Sequence, residues 1–554
     1  MFLSEYPSSS LFRKHSLGTF LSLLLLAACS PDNDALPGGD GGNTPSAALR
    51  IEVSASDFTS AATRATDNGA ATTFESGDRI GIIVLDGSGN VLSDNIPYKY
   101  NGGAWSFDNG NGEGKTAVYY DNKAATYFAY FPYSKEADGI ADTDILAALK
   151  AKFPPRYDQR TDNAYRASDL LVWSSQAGDT PSKKLEIKFT HAYSSLSLSP
   201  SITCKIDGVE TSYIPSSVAD VSFTIGTEPL LPYRADDGSY RIIVSPQTTS
   251  ARWLCAYGGS MHCGTMPETA LAANNRYTLA PALNIGAYTF ANAQVGDFYC
   301  KNNSNEGYLI PGDASLTTEQ QAACIGIVYS TDASRIGTAA TQALKTKRVS
   351  TPHGLVMALT NASDGCRWGD YGKNENSGGA DGEPFKEYTT TLQKQYLNVD
   401  GYGETQWMVN KIANGYNADT YKAFDVASKY GTEESGTAQY AAPDNTTGWF
   451  IPGMGQWWDI LSNLGKIDLT SSRDDTGSYT SIPSAATTAV ANLNKYLQKI
   501  SNATQFSTGT YFWSSSEYSR NYACYVYFDS DGDLDLYHYS KDYSSYSVRC
   551  SFAF

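Results

Sequence analysis

From Leu49 to about Leu283 the chain is written in short runs that alternate apolar and polar residues, each cut off by Gly, Asn, Asp or Pro. A period of two puts successive side chains on opposite faces of a strand, so this pattern commits the N-terminal half to β-sheet before any other feature is weighed. RIEVSAS, RIGIIVL, TAVYY, ATYFAYFPY, KLEIKFTH, SLSLSPSI, VSFTIG and YRIIVSP read as strands. Helical spacing is nearly absent there, ADTDILAALKAKF being the exception, and the composition suits β-sandwiches. From Gly286 the texture changes. Trp, Gly and Asn rise, helices are expected over TTEQQAACIGIV, GQWWDILSNLG and AATTAVANLNKYLQKI, and strand-like VGDFYC, GLVMALT, GWFIPG, TYFWSSSE and VRCSFAF lie between them. The expected fold is mostly β and then α+β, with long glycine-rich loops, notably over 361–384.

At 554 residues there is room for three or four domains. A net charge of −17 with no basic block argues against nucleic acid or an anionic membrane surface as partner. Five His against 39 Tyr suits a secreted β-rich protein better than a hydrolase or metalloenzyme.

Near the N-terminus, Arg13, Lys14 and His15 precede LGTFLSLLLLAAC, an apolar run too short to span a bilayer and ending in small residues. Leu26-Ala27-Ala28-Cys29 resembles the lipobox of bacterial lipoproteins. The resemblance implies a signal peptide over 1–28, acylation of Cys29, and contact with the outer membrane through a lipid anchor, at least during export. SPDNDALPGGDGGNTPS then forms a flexible tether over 29–48. Its acidic residues resemble the surface-export signal of some Gram-negative lipoproteins.

Eight cysteines remain: Cys204, Cys255, Cys263, Cys300, Cys324, Cys366, Cys524 and Cys550. Disulfides are permitted in an exported chain, but sequence does not decide their connectivity. Cys255 with Cys263 could close a hairpin and Cys524 with Cys550 could tie neighbouring strands; free buried thiols are the alternative. No CxxC pair or zinc-type His/Cys spacing occurs, so no metal or cofactor is expected.

FESGDRIGIIV (Phe74–Val84), YKYNGGAWSF (Tyr98–Phe107), YFAYFPYS (Tyr127–Ser134), SDLLVWSS (Ser168–Ser175), FTHAYSSLSL (Phe189–Leu198) and NNRYTLAP (Asn274–Pro281), in this order, resemble the fimbrillin family of pilins and pilus-associated lipoproteins. The resemblance implies two successive transthyretin-like sandwiches, over 49–175 and 176–283. It also implies pilin neighbours joined by strand donation after a trypsin-like protease removes an N-terminal strand. Arg64, in SAATRATD, is placed for that cleavage, and is equally well read as a solvated loop arginine.

Over 286–554, WFIPG, QWW, WSSSE and the terminal VRCSFAF resemble a group of C-type-lectin-fold domains shared with the variable proteins of diversity-generating retroelements. In that family the segment between WSSSE and the last strand contacts ligand. The residues read the same way. Alternation through 525–539 puts Val526, Phe528, Leu534 and Leu536 on one face and Tyr525, Tyr527, Asp529, Asp533, Asp535, Tyr537 and Tyr539 on the other, around a Ser530-Asp531-Gly532 turn. Tyrosine offers rigid amphipathic contact area, and Ser and Asp offer short, adaptable hydrogen bonds, which is the chemistry of a paratope. Tyr518, Arg520, Asn521, Tyr522, His538, Tyr543 and Tyr546 complete the candidate ligand-binding set. A solubilising hairpin whose tyrosines cover one another is the alternative. Retroelement diversification works through template Asn codons that cannot become Lys, Glu, Gln, Trp or Met, and between Tyr518 and Ser547 only Lys541 belongs to that set.

Catalytic signatures are missing. DSDGDLD lacks the spacing of an EF-hand, Glu383-Pro384 is followed by Phe385 rather than the residue of a calcium-lectin motif, and His191, His262, His353 and His538 sit beside no nucleophile motif. Trp449, Trp457, Trp458 and Trp513 are assigned to the scaffold. The expected function is therefore not enzymatic. It is a surface adhesin presenting a protein- or glycan-binding face at a pilus tip or, in the other reading, a structural pilus subunit or anchor.

Overall fold

The computed structural model describes residues 48–60, 73–112, 114–121, 123–140, 144–175, 184–375 and 388–554. Cys29, Arg64, the leader, most of the tether and Glu383-Pro384-Phe385 lie outside the described residues.

The first sheet closes on itself. Its seven strands run in the order Arg50–Ala55, Trp105–Phe107, Val91–Tyr100, Arg79–Asp86, Ala124–Phe131, Leu171–Ser174 and Lys184–His191, and the last pairs in parallel with the first, Ile51 opposite Leu185. Lys184–His191 alternates strictly between exposed and buried residues, as KLEIKFTH demands. Arg79–Asp86 is apolar on both sides for a different reason. Ile80, Ile82 and Val84 face the barrel core, while Ile83 packs against Leu149 and Ile145 of the helix Ile145–Lys152. Asp144 starts that helix by accepting from the Ala147 amide at 2.9 Å.

Two boundaries differ from the sequence expectation. Lys184–His191, placed in the second sandwich, completes the first barrel, because it pairs in parallel along the whole of Arg50–Ala55, on the edge that Trp105–Phe107 leaves open. The boundary near 283–286 falls inside the strand Ala282–Tyr288, which pairs in parallel with Ser201–Ile206. TAVYY contributes only an isolated bridge between Tyr119 and Ala48. The second region carries three small sheets, of three, four and five strands. The five-stranded one takes in Thr59–Ser60 from the N-terminal segment beside Asn275–Leu279.

The C-terminal region is built on nine strands in the order Gly307–Ile310, Phe298–Lys301, Cys324–Ser330, Leu355–Cys366, Tyr546–Ala553, Thr510–Glu517, Tyr522–Phe528, Leu534–Ser540 and Thr480–Ile482. Helices Gly401–Ala413, Lys422–Lys429, Met454–Asp459 and Ala485–Leu497 pack around it. Trp368, Trp457, Trp458 and Trp513 are fully buried, and Trp449 nearly so. Arg549 is also fully buried; its two terminal nitrogens donate to the carbonyls of Ala358, Leu359 and Thr504 at 2.7–3.1 Å, while its Nε has no hydrogen-bond partner. One hydrophobic cluster runs without a break from Leu196 and Phe223 of the second region into this sheet.

Candidate ligand-binding face

Tyr522–Phe528 and Leu534–Ser540 form the expected hairpin, with Tyr525 opposite Tyr537 and Tyr527 opposite Asp535. Gly532 turns at φ +99°, a backbone angle that favours glycine. Asp529 closes the turn, accepting from the amide of Asp531 and the hydroxyls of Ser530 and Tyr527 at 3.0–3.1 Å. Val526, Phe528, Leu534 and Leu536 are fully buried against the helix Ala485–Leu497 and its surroundings. The alternation thus holds, with the apolar set inside.

The opposite face is layered rather than uniformly displayed. Tyr525 (6% exposed) and Tyr546 (3%) form its floor with Trp513, whose ring centroid is 4.4 Å from that of Tyr546. This corrects the expectation that Tyr525 points into solvent, and it buries Tyr546, a candidate contact residue: Trp513 lies opposite Tyr525 in the neighbouring strand, and Tyr546 begins the central strand Tyr546–Ala553. Above the floor, Tyr511 stacks between Tyr527 (3.7 Å, 3°) and Tyr546 (4.5 Å, 4°). Tyr537 meets Tyr479 edge to face at 4.8 Å, and Tyr539 meets Tyr543 at 5.1 Å. Tyr479, Tyr539 and Tyr543 are the exposed rings of this face; Tyr527, Tyr537, Asp529, Asp533 and Asp535 are half-buried. Rings braced this way keep their orientation, so little entropy remains to be lost when a ligand arrives.

Five candidates lie off this face: Tyr518, Arg520, Asn521, Tyr522 and His538. His538 sits opposite Cys524, on the side of the strand away from Tyr537 and Tyr539, and stacks on Tyr518 at 3.5 Å with Tyr522 at 5.6 Å. Burial pushes its imidazole down to about 4, and its Nδ1 has no hydrogen-bond partner, so it is neutral at physiological pH. Tyr518, Tyr522 and His538 therefore form a separate aromatic shoulder, with Arg520 exposed and Asn521 half-buried in the turn joining the two strands. Asp533 is spent on the scaffold, accepting from the Ser484 amide at 3.0 Å. Asp535 is pushed above the usual carboxylate range by burial, and one of its oxygens has no hydrogen-bond partner.

Two members of the face were not among the sequence candidates. Tyr511 carries a readable signal, since it alternates with Trp513 in TYFWSSSE. Tyr479 carries none, because it reaches the face only through the pairing of Thr480–Ile482 with Leu534–Leu536.

Behind the face lies a buried polar frame. Lys541 is fully buried and ion-paired to Glu517, donates to the Lys373 carbonyl at 2.7 Å, and lies 5.0 Å from the Trp368 ring centroid. Its own carbonyl receives the Trp368 and Gly369 amides, at 2.9 and 3.0 Å. Ser515 donates to Glu404 at 2.6 Å, and Ser516 accepts from the Met454 amide at 2.9 Å. The WSSSE stretch is therefore framework. Among the described residues no group of three or more His, Cys, Asp or Glu is gathered to hold a metal ion.

Residues 63–297 match the family model described as fimbrillin-like. A Bacteroides ovatus protein assigned as a fimbrium tip subunit, Fim1C, is 26% identical over 544 residues, spanning 90% of this chain and 91% of that protein. A solved fimbrial protein from Bacteroides ovatus is similar over 92% of this chain and 100% of its own length, at 19% identity and a TM-score of 0.37. A Bacteroides uniformis structure assigned to a cell adhesion protein is similar over 43% of this chain and 93% of its own, at 18% identity and a TM-score of 0.28. Residues 63–297 of this chain are thus a fimbrillin-like segment, as FESGDRIGIIV, SDLLVWSS and FTHAYSSLSL anticipate.

Proposed function

We propose that the chain is a cell-surface adhesin of a fimbrium, carried at its tip, whose C-terminal region binds a protein or glycan ligand. The observation that carries this reading is the braced tyrosine face, with Tyr479, Tyr537, Tyr539 and Tyr543 above a buried aromatic floor and Asp529 and Asp535 beside them. A monomer seldom leaves so many aromatic rings at its surface without a partner. The fimbrillin-like segment and the similarity to a tip subunit along nearly the whole chain support placement in a fimbrium. Tip rather than shaft is favoured because the central strand Tyr546–Ala553 is paired on both sides, which leaves it unavailable to a neighbouring subunit.

In this reading Cys29 is acylated, cleavage after Arg64 opens the fimbrillin-like segment to a donated strand, and the C-terminal region is a C-type-lectin-like domain. In the same reading, segment 518–547 is a target of retroelement diversification. Lys541, its one residue outside the reach of Asn-codon diversification, is a buried framework residue rather than part of the contact face, which supports this view. The test is a glycan and protein array probed with the full chain. Tyr537→Ala, Tyr539→Ala and Tyr543→Ala should each weaken a hit while leaving the melting temperature in place. Binding unchanged in all three would remove the proposed face. Immunogold label along the whole shaft would favour a structural subunit instead.

A further inference from the structure

Cys300 and Cys324 stand directly opposite each other on adjacent antiparallel strands, Phe298–Lys301 and Cys324–Ser330. The register slips by one residue at this point. Phe298 faces Ile327 and Tyr299 faces Gly326, yet Cys300 faces Cys324, so an irregularity skips Ile325 and brings the two thiols together. Their sulfurs are 2.6 Å apart, closer than unbonded sulfurs can rest and a small shift from the roughly 2.05 Å of a disulfide. Residues opposed across an antiparallel pair also have about the Cα separation a disulfide requires. The other pairings considered fail on geometry. Cys255 faces His262 while Cys263 faces Leu254, leaving one buried and the other exposed. Cys524 and Cys550 are separated by the intervening strand Thr510–Glu517.

We propose that Cys300 and Cys324 form an intrachain disulfide that staples the edge of the nine-stranded sheet. The oxidant is a protein disulfide of the export pathway. One cysteine, as thiolate, attacks a sulfur of that bond and releases the oxidant's other sulfur as a thiol. The second cysteine then loses its proton and displaces the remaining oxidant sulfur. Two electrons and two protons leave the pair, and one dithiol appears on the oxidant. Burial disfavours the Cys300 thiolate once the sheet has closed, so the exchange belongs to folding, before the strand is covered. The staple closes a loop holding the edge strand Gly307–Ile310 and the helix Thr318–Ala323. That edge is also where the C-terminal region meets the fimbrillin-like segment, through the Tyr257 hydroxyl donating to Asp313 at 3.0 Å and Asn302 donating to Asp207 at 3.3 Å. Pulling force between a bound ligand and the fimbrium would pass through this junction.

The compartment, though not the pairing, rests on the surface reading above. The test equilibrates the purified full chain in oxidised and reduced glutathione, alkylates it in denaturant without reductant, and maps the peptides by mass. The expected result is one linked peptide pair holding Cys300 and Cys324, separated by reductant. Oxidised wild type should also melt roughly 5 °C above reduced protein, a difference missing from Cys300→Ser/Cys324→Ser. Full alkylation of both cysteines across all glutathione ratios, or linkage to other partners, would overturn the proposal. Alkylation in living cells is the second arm. A bond found there supports both readings, whereas free thiols in cells with a bond in glutathione would count against surface export and leave the pairing standing.

Discussion

At the scale of single residues, burial separates the tyrosines that support the face from those free to touch a ligand. Tyr539→Ala or Tyr543→Ala removes an exposed ring and should weaken ligand binding on the order of tenfold or more, with no change in denaturant midpoint. Tyr525→Ala and Tyr546→Ala should instead cost about 3–5 kcal/mol of stability, seen by urea titration, because each leaves a cavity under Tyr511 and beside Trp513. Lys541→Met strands the Glu517 carboxylate in the interior and should cost a similar amount, part of it recovered by adding Glu517→Gln. Sequence alternation recognises which face a tyrosine lies on. It does not recognise depth, which depends on what the neighbouring strand places beside the ring, and this is why Tyr525 read as exposed.

At the scale of elements, the hairpin and the helices Met454–Asp459 and Ala485–Leu497 were legible, whereas the helix Gly401–Ala413 was not. Met454–Asp459 and Ala485–Leu497 carry apolar spacing that reads directly. Gly401–Ala413 opens GYG, a poor helix start by composition, yet Gly401 is there for close packing: a Cβ on it would stand 2.4 Å from the Gly453 nitrogen. Gly401→Ala should therefore lower the thermal midpoint although alanine is the better helix former. The same helix carries Glu404, whose carboxyl burial pushes up to about 7. Between the ordinary glutamate value and about pH 7 the folded chain holds a proton the unfolded chain has lost. Stability contributed at this site therefore falls as pH rises through that window, by at most about 1.4 kcal/mol per pH unit. Asp297, also pushed up to about 7, slopes the same way. Glu404→Gln keeps an acceptor for Asn398 and gains a donor for the Ser515 oxygen, so its denaturation midpoint should vary less between pH 5 and pH 8 than that of wild type.

At the scale of the whole molecule, the fimbrillin-like segment and the C-terminal region share one hydrophobic core. A fragment beginning at 286 would cut the strand Ala282–Tyr288 and remove the Tyr257 hydroxyl from Asp313. Scanning calorimetry should show that fragment melting below the full chain, and an equal midpoint would mean the shared core contributes nothing across the junction. The N-terminal barrel has its own core around Ile82, Tyr127 and Phe189, so its boundary is set by packing. Its closing strand, Lys184–His191, lies far in sequence from its partner Arg50–Ala55, and this distance is what local pattern reading misses.

The sequence alone determined the succession of β and then α+β, the apolar side of the hairpin, and the tyrosine-rich chemistry of its other side. Each follows from local periodicity and side-chain type, which a linear reading contains in full. Only the tertiary structure decided which tyrosines are floor and which are surface, that Tyr479 and Tyr511 join them, that Lys541 is framework, and that Cys300 meets Cys324. Those facts depend on register between strands distant in the chain, and register is settled by the packing of the assembled sheet.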